Sequence, residues 1–217
     1  MAIIIDGSGE SGSAAARRER RRRAMIAAAT TLFLERGYEA VSLSEIVRHS
    51  GGSLTTLYDL FENKLGLLAA IVAEQRFEKL GRIDAIIAAA DGPAATLRAI
   101  ALTLHEGFMD PATIRLMRLV MAETLRDPGF GHMLYKAAHV PAVEQLAALF
   151  ARWADEGRAT IANPALAAEF FLGLIIHAPQ TRALFGEGEC CRPPLEPAEM
   201  LDEAIALFLR GYGLDEA

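Results

Sequence analysis

Cysteine is nearly missing from this chain: two in 217 residues, adjacent at Cys190-Cys191. Neighbouring cysteines bridge each other only with backbone strain, so no disulfide framework holds the fold. The pair reads as loop thiols, with a redox or metalloid sensor as the alternative. Aromatic residues are scarce, 7% against 52% hydrophobic residues. Much of the apolar content is Ala and Leu, which favours helices over strands. No apolar run reaches the roughly 18 residues that span a bilayer. The short "AIII" comes before the arginines, the reverse of the order in a secretory signal. These absences predict a cytoplasmic protein with no membrane partner.

Catalytic spacings are missing as well. There is no G-x-S-x-G elbow, H-E-x-x-H or P-loop, so no enzyme and no cofactor are expected. His132 and His139 stand seven apart without a third ligand at helical spacing, which argues against a metal. Gly7, Gly9 and Gly12 do match G-x-G-x-x-G. A dinucleotide fold then needs a helix and a second strand within one βαβ unit, and an arginine run follows instead.

What is present is an uneven charge. The net of -6 is not shared along the chain. Residues 1–64 hold 9 basic and 8 acidic residues, which leaves 13 of the 22 basic and 20 of the 28 acidic residues to 65–217. The block "RRERRRR" over Arg17–Arg23 concentrates six arginines. A basic end on an acidic body suggests one surface for an anionic polymer, with Arg17 and Arg18 as candidate contacts.

Residues 1–16 are small and polar, and read as a disordered leader. A helical stripe of Met25, Ile26, Ala29, Leu32 and Phe33 follows, and stops at Arg36-Gly37. Ser42-Leu43-Ser44-Glu45 is a capping box opening a short helix to about His49, which Gly51-Gly52 ends. Ser53 caps another short helix through Phe61, and Asn63 a longer one from Lys64. Beyond that an acidic or Asx residue repeatedly stands just before proline, at Asp91-Gly92-Pro93, Asp110-Pro111, Asp127-Pro128, Asn163-Pro164 and Glu196-Pro197. Each marks a helix start. The expectation is an all-α chain of about nine helices, with Pro141 and Pro179 kinking or splitting theirs. The expected division is a part of short helices over 17–64 and a longer helical part over 65–217.

Three short helices, the last two joined by a Gly-containing turn, fit a helix-turn-helix. Leu57 and Phe61, four apart, point inward, which leaves Leu54, Thr55, Thr56, Tyr58 and Asp59 facing out. Hydroxyls donate to phosphates, a threonine methyl suits a thymine methyl, and the Ser53 end offers free amides to a phosphate. Lys64 opens the next helix, where a cation opposes the dipole unless an anion balances it.

The run "VSLSEIVRHSGGSLTTLYDLFENKLGLLAAIV", preceded by "AAATTLFLERGYEAVS", closely resembles the TetR family of bacterial transcriptional repressors. The resemblance runs to about Val72 and includes Phe33, Gly37-Tyr38, the Ser42 cap, Ile46, Gly51, Ser53, Thr56, Tyr58, Phe61 and Lys64. It implies that Tyr58 and Lys64 contact DNA phosphates and that residues after the turn read bases of a double-stranded operator. Three positions depart from the family pattern: Gly52 where valine is usual, Thr55 for glycine and Leu60 for histidine. Gly52 is expected to loosen the turn.

The segments "LMRLVMAETLRDPGFGHMLYKAA" and "PALAAEFFLGLIIH" resemble the ligand-binding half of the AefR-like branch. That implies a homodimer whose last helices, about Pro164–Leu184 and Pro197–Tyr212, form a four-helix bundle with their copies. Phe171, Leu174, Ile175, Ile205, Phe208 and Leu209 are the candidate dimer residues, with ordinary intrachain core as the alternative. His105, Phe108, Met109, Met117, Arg118, Met121, Trp153 and Phe170 are candidates for an apolar effector site. Arg118 and Glu123 either pair, orient a ligand or face water. The function expected is a repressor released from a palindromic operator by a small apolar or amphipathic effector. The alternative is a helical binding protein or enzyme that no longer binds DNA.

Overall fold

A computed structural model of the protein describes residues 8–89, 92–186 and 196–214. The described residues are all-helical: α1 (Ser8–Arg36), α2 (Leu43–Ser50), α3 (Leu54–Phe61), α4 (Lys64–Ala89), α5 (Pro93–Met109), α6 (Pro111–Arg126), α7 (Pro128–Leu134), α8 (Val140–Asp155), α9 (Pro164–Leu172), α10 (Ala178–Phe185) and α11 (Pro197–Tyr212). Single π turns, Tyr135–His139 and Gly173–His177, carry α7 into α8 and α9 into α10. Counted as continuous rods, the described residues therefore form nine helices.

The π turns are how the chain tolerates its two internal prolines. Pro141 and Pro179 each sit in the first turn after a π turn. A proline ring clashes with the carbonyl four residues back and supplies no amide to it. Widening the preceding turn shifts the pairing instead, so that the Val140 amide reaches the Tyr135 carbonyl. The rods are widened at these prolines and continue past them.

The caps account for where the rods begin. Asp110, Asp127 and Asn163 accept the amides of Thr113, Phe130 and Leu166 at 2.8, 3.0 and 3.1 Å. Asn63 does the same for Gly66 at 2.8 Å. Glu196 makes no side-chain cap, so Pro197 alone marks the start of α11. Asp91 lies outside the described residues, and Gly92 precedes α5 without a side-chain cap. The first helix starts earlier than the expected Arg17: it already runs from Ser8 and continues through the arginine block.

The chain divides into two compact units, Met1–Val72 and Ala73–Ala217, and the division between them falls inside α4. In the first unit Met25, Ile26, Ala29, Leu32 and Phe33 of α1 are buried together with Val41, Ile46, Leu57, Phe61, Leu67, Leu68 and Ile71. In the second, one core gathers residues of α4, α5, α8, α9 and α11 around Phe150, Phe171 and Phe208.

The capping box of α2 makes stability depend on pH. The Ser42 hydroxyl accepts the Glu45 amide at 3.2 Å, and the Glu45 carboxylate accepts the Ser42 amide at 2.9 Å and an Arg36 guanidinium N–H at 2.9 Å. These contacts, the Ser42 amide foremost and then Arg36 and the Ser42 hydroxyl, hold the Glu45 carboxyl down to about 2 from 4.5. The folded value lies below the unfolded one. The stabilisation is therefore complete above about pH 4.5 and is lost as the pH falls toward about 2. Glu45→Gln is expected to flatten the acid limb of the stability curve across that window, read from urea unfolding at stepped pH. An unchanged limb would mean the box is not formed in solution.

Candidate nucleic-acid interface

The first unit presents α3 as its outward element. Leu57 and Phe61 are buried, while Leu54, Thr55, Tyr58 and Asp59 are exposed. The periodicity of the sequence implied this division. Ser53 caps the helix by accepting the Thr56 amide at 3.1 Å, and its hydroxyl lies 2.9 Å from the hydroxyl of half-buried Thr56. Ser53 and Thr56 therefore hold each other, and the amides of Leu54 and Thr55 stay at the helix N-terminus, where an anion binds well. Ser42 is similarly engaged, since its hydroxyl donates to Glu45 at 3.0 Å. Its role here is to start α2, which braces α3.

Gly51 and Gly52 do different work in the turn. Gly51 ends α2 at φ 68°, a left-handed conformation that favours glycine, and its amide closes onto the Val47 carbonyl. Gly52 is a close approach instead: a Cβ there would fall 2.5 Å from the Met25 Cε of α1. The residue expected to loosen the turn seats it against the first helix. A valine at this position would require the flexible end of the Met25 side chain to shift.

Lys64 is turned inward. Its Nζ donates to the Tyr38 carbonyl and lies 4.2 Å from the centre of the Tyr38 ring and 5.8 Å from that of Phe33. Tyr38 in turn packs on Phe33 with centroids 5.0 Å apart. The ammonium thus ties the start of α4 to the corner between α1 and α2, and this tie answers the unfavourable dipole at that position. A charged hydrogen bond contributes about 1.5–3 kcal/mol and a cation–π contact about 0.5–1 kcal/mol. Lys64→Met is expected to destabilise the unit by about 2 kcal/mol, checked by thermal unfolding. A variant that melts like the wild type but loses about one phosphate's worth of salt dependence would return Lys64 to the DNA surface.

In the second unit the candidate effector residues do not converge. His105, Phe108 and Met109 share α5 and are half-buried, as is Met117 on α6. Met117 Sδ accepts an N–H from Gln180 at 3.1 Å, which links α6 to α10. His105 Nδ1 is fully buried with no hydrogen-bond partner among the described residues, and burial holds the imidazole below its ordinary 6.5. Trp153 is instead a core residue on Phe150, and Met121 and Phe170 are exposed. Arg118 donates to the carbonyls of Ala183 and Leu184 at 2.6 and 3.2 Å, closing the C-terminus of α10. Glu123 is buried and pairs with Arg126 at 3.0 Å, so it is not the partner of Arg118.

The candidate dimer residues are placed in a similar way. Phe171, Ile175, Ile205, Phe208 and Leu209 are buried within the protomer, the alternative the sequence left open; Leu174 alone of the six is exposed. The apolar residues that face out of these helices are Leu166, Phe170 and Leu174, with Leu207 on α11. Sequence reasoning missed two ties in this unit. His139 meets Glu169 at 3.0 Å between the π turn and α9, and Gln145 reaches Asp84 and the Leu80 carbonyl on α4. Among the described residues no three His, Cys, Asp or Glu gather to hold a metal, and no helix is long and apolar enough to cross a membrane. Cys190 and Cys191 lie outside the described residues.

Residues 25–71 match the family described as bacterial regulatory proteins, tetR family, and residues 95–214 match the C-terminal domain of AefR-like transcriptional repressors. Among solved structures, the chain is similar to one described as a TetR-family transcriptional regulator from Mesorhizobium loti MAFF303099. That protein is 27% identical at a TM-score of 0.79, over 90% of this chain and 98% of that one. The flavonoid-responsive regulator FrrA shares the fold at 21% identity and a TM-score of 0.67, over 92% and 100% of the two chains. A TetR transcriptional regulator from Agrobacterium tumefaciens does so at 24% and 0.68, over 88% and 94%. No curated protein matches the chain.

Proposed function

This chain belongs to the TetR family of ligand-responsive bacterial transcriptional regulators, and on that premise we propose how this member works. It is a cytoplasmic homodimer that sets its two α3 helices into successive major grooves of a near-palindromic operator, roughly 34–36 Å apart. The observation that carries this is the outward face of α3. Leu54, Thr55, Tyr58 and Asp59 stand exposed on a helix whose N-terminus is capped and whose other face is pinned by Leu57 and Phe61. In this reading Thr55 and Leu54 meet base edges, and Tyr58 and the Ser53 end meet phosphates.

The effector is a small apolar or amphipathic molecule received where α5, α6 and α10 pack together. Met117, which meets Gln180 of α10, offers adaptable apolar surface there, and the half-buried Phe108 and the unpartnered His105 Nδ1 are both carried by α5. Its binding favours one dimer geometry over another only by its differential affinity for the two. Releasing DNA in response makes the protein a repressor.

Selection from a randomised duplex pool, read by fluorescence anisotropy at two salt concentrations, tests the DNA-binding reading. The expected result is a palindrome with two half-sites and a steep salt dependence. Failure of any sequence to enrich would overturn it.

A further inference from the structure

The most concentrated charge in the protein lies beside the helix-turn-helix, on α1. Arg17, Arg18, Arg20, Arg21, Arg22 and Arg23 fall within seven residues, with Glu19 as the one acid among them. Glu19 meets Arg22 at 3.5 Å and Arg23 at 3.4 Å. Arg17, Arg18, Arg20 and Arg21 are exposed and form no ion pair among the described residues.

Two structural facts fix what this block can do. The first is that it is helical, since α1 runs continuously from Ser8 to Arg36. A helix with its side chains is about 10–12 Å across, while the minor groove is about 6 Å wide. An extended arm can thread that groove, and an arginine-lined helix cannot. The second is the contact of Gly52 with Met25, which brings the turn just before α3 against α1. Arg18 and Arg21 lie seven and four residues before Met25, on the same helical stripe. At 1.5 Å per residue they stand roughly 6 to 11 Å along the axis from that contact. The arginine ridge thereby continues the surface formed by the N-terminus of α3.

We propose that the amino-terminal half of α1 is a second DNA surface, a rigid arginine ridge that grips backbone phosphates flanking each half-site and reads no bases. This rests on the DNA-binding reading of α3 and deepens it. The ridge adds affinity on any duplex, lengthens the footprint beyond the palindrome and makes binding more sensitive to salt. Arginine suits the task because its fork pairs with phosphate oxygens at either edge and stays charged at any physiological pH.

The test uses the full-length protein and the duplex recovered by selection. If wild type recovers no palindrome, the α3 reading fails independently of the ridge. Arg17, Arg18, Arg20 and Arg21→Gln together keep good helix formers at every position. With two grips lost per protomer, the dimer's slope of log affinity against log salt is expected to shrink by about 3 to 4. The wild type then loses about a hundredfold more affinity than the variant between 50 and 200 mM salt. Half-site preference stays the same, and replacing the same four arginines by lysine restores most of the slope. An unchanged slope and affinity would make the block a solvated face. An altered preference at flanking base pairs, unrestored by lysine, would make it a base reader; either result overturns the proposal. Arg18→Gln and Arg21→Gln singly, each expected to reduce the slope by about 1 per grip lost, keep the test valid should the fourfold variant fold poorly.

Discussion

Phe150→Ala is expected to cost the second unit about 3–5 kcal/mol. The Phe150 side chain is fully buried on α8. Its ring lies 5.7 Å from Trp153, 5.2 Å from Phe208 and 6.1 Å from Phe171, edge-on to the last. Phe171 and Phe208 meet each other at 5.2 Å, so α8, α9 and α11 converge on this single side chain. Removing it leaves a cavity walled by other aromatic rings and by continuous helices, neither of which collapses readily into the space. For a chain of this length each kcal/mol lowers the melting temperature by about 2–4 °C, so a fall of about 10 °C is expected. Phe150→Leu keeps most of the volume and is expected to lose less than half as much. The two units are compact in their own right, so circular dichroism and tryptophan fluorescence should be followed together. Trp153 is the one tryptophan, and it reports this core directly. A loss below about 1 kcal/mol would mean that the ring cluster is not the centre of the unit.

What the sequence revealed, it revealed where a local rule decides the structure. Capping depends on a side chain and an amide three residues apart, and so Ser42, Ser53, Asn63, Asp110, Asp127 and Asn163 could be assigned without any knowledge of tertiary packing. The two faces of α3 were legible for a similar reason: polar and apolar residues alternate there at helical spacing. In "PALAAEFFLGLII" apolar residues occupy every side of the helix, so periodicity cannot separate core from surface. Phe170 and Phe171 are adjacent and chemically identical, yet one is exposed and the other buried. Only the position of α8 decides between them. Lys64 escaped for another reason. Its partners, Tyr38 and Phe33, are 26 and 31 residues away, and no local pattern announces a lysine that turns inward. The leader expected to be disordered over 1–16 differs from residue 8 onward, because small polar residues such as those of 8–16 read as coil while the structure continues the helix through them.

Phe170→Asp combined with Leu174→Asp is expected to leave a folded monomer that has lost at least about a hundredfold in operator affinity. Leu166, Phe170 and Leu174 recur every four residues along α9 and its π turn, and are 46%, 54% and 39% exposed. Leu207 on α11 adds a fourth apolar side chain at 54%. The inward residues of both helices, Phe171, Ile175, Ile205 and Phe208, are already satisfied within the protomer. The outward row is thus surplus to the fold, and in the homodimer proposed above a second copy of the same row is its complement. Carboxylates at positions 170 and 174 would put four like charges into such a bundle and remove its apolar contact, while costing the isolated protomer little. Losing the dimer removes the advantage of placing two reading helices at once, which amounts to roughly two to four orders of magnitude in affinity. Sedimentation velocity gives the mass and thermal unfolding confirms the fold; anisotropy on the selected operator gives the affinity. A double variant that still sediments as a dimer would place the subunit contact elsewhere on the second unit. A monomer that held its operator as tightly as the wild type would show that one reading head suffices, and the palindrome would then have no role in binding.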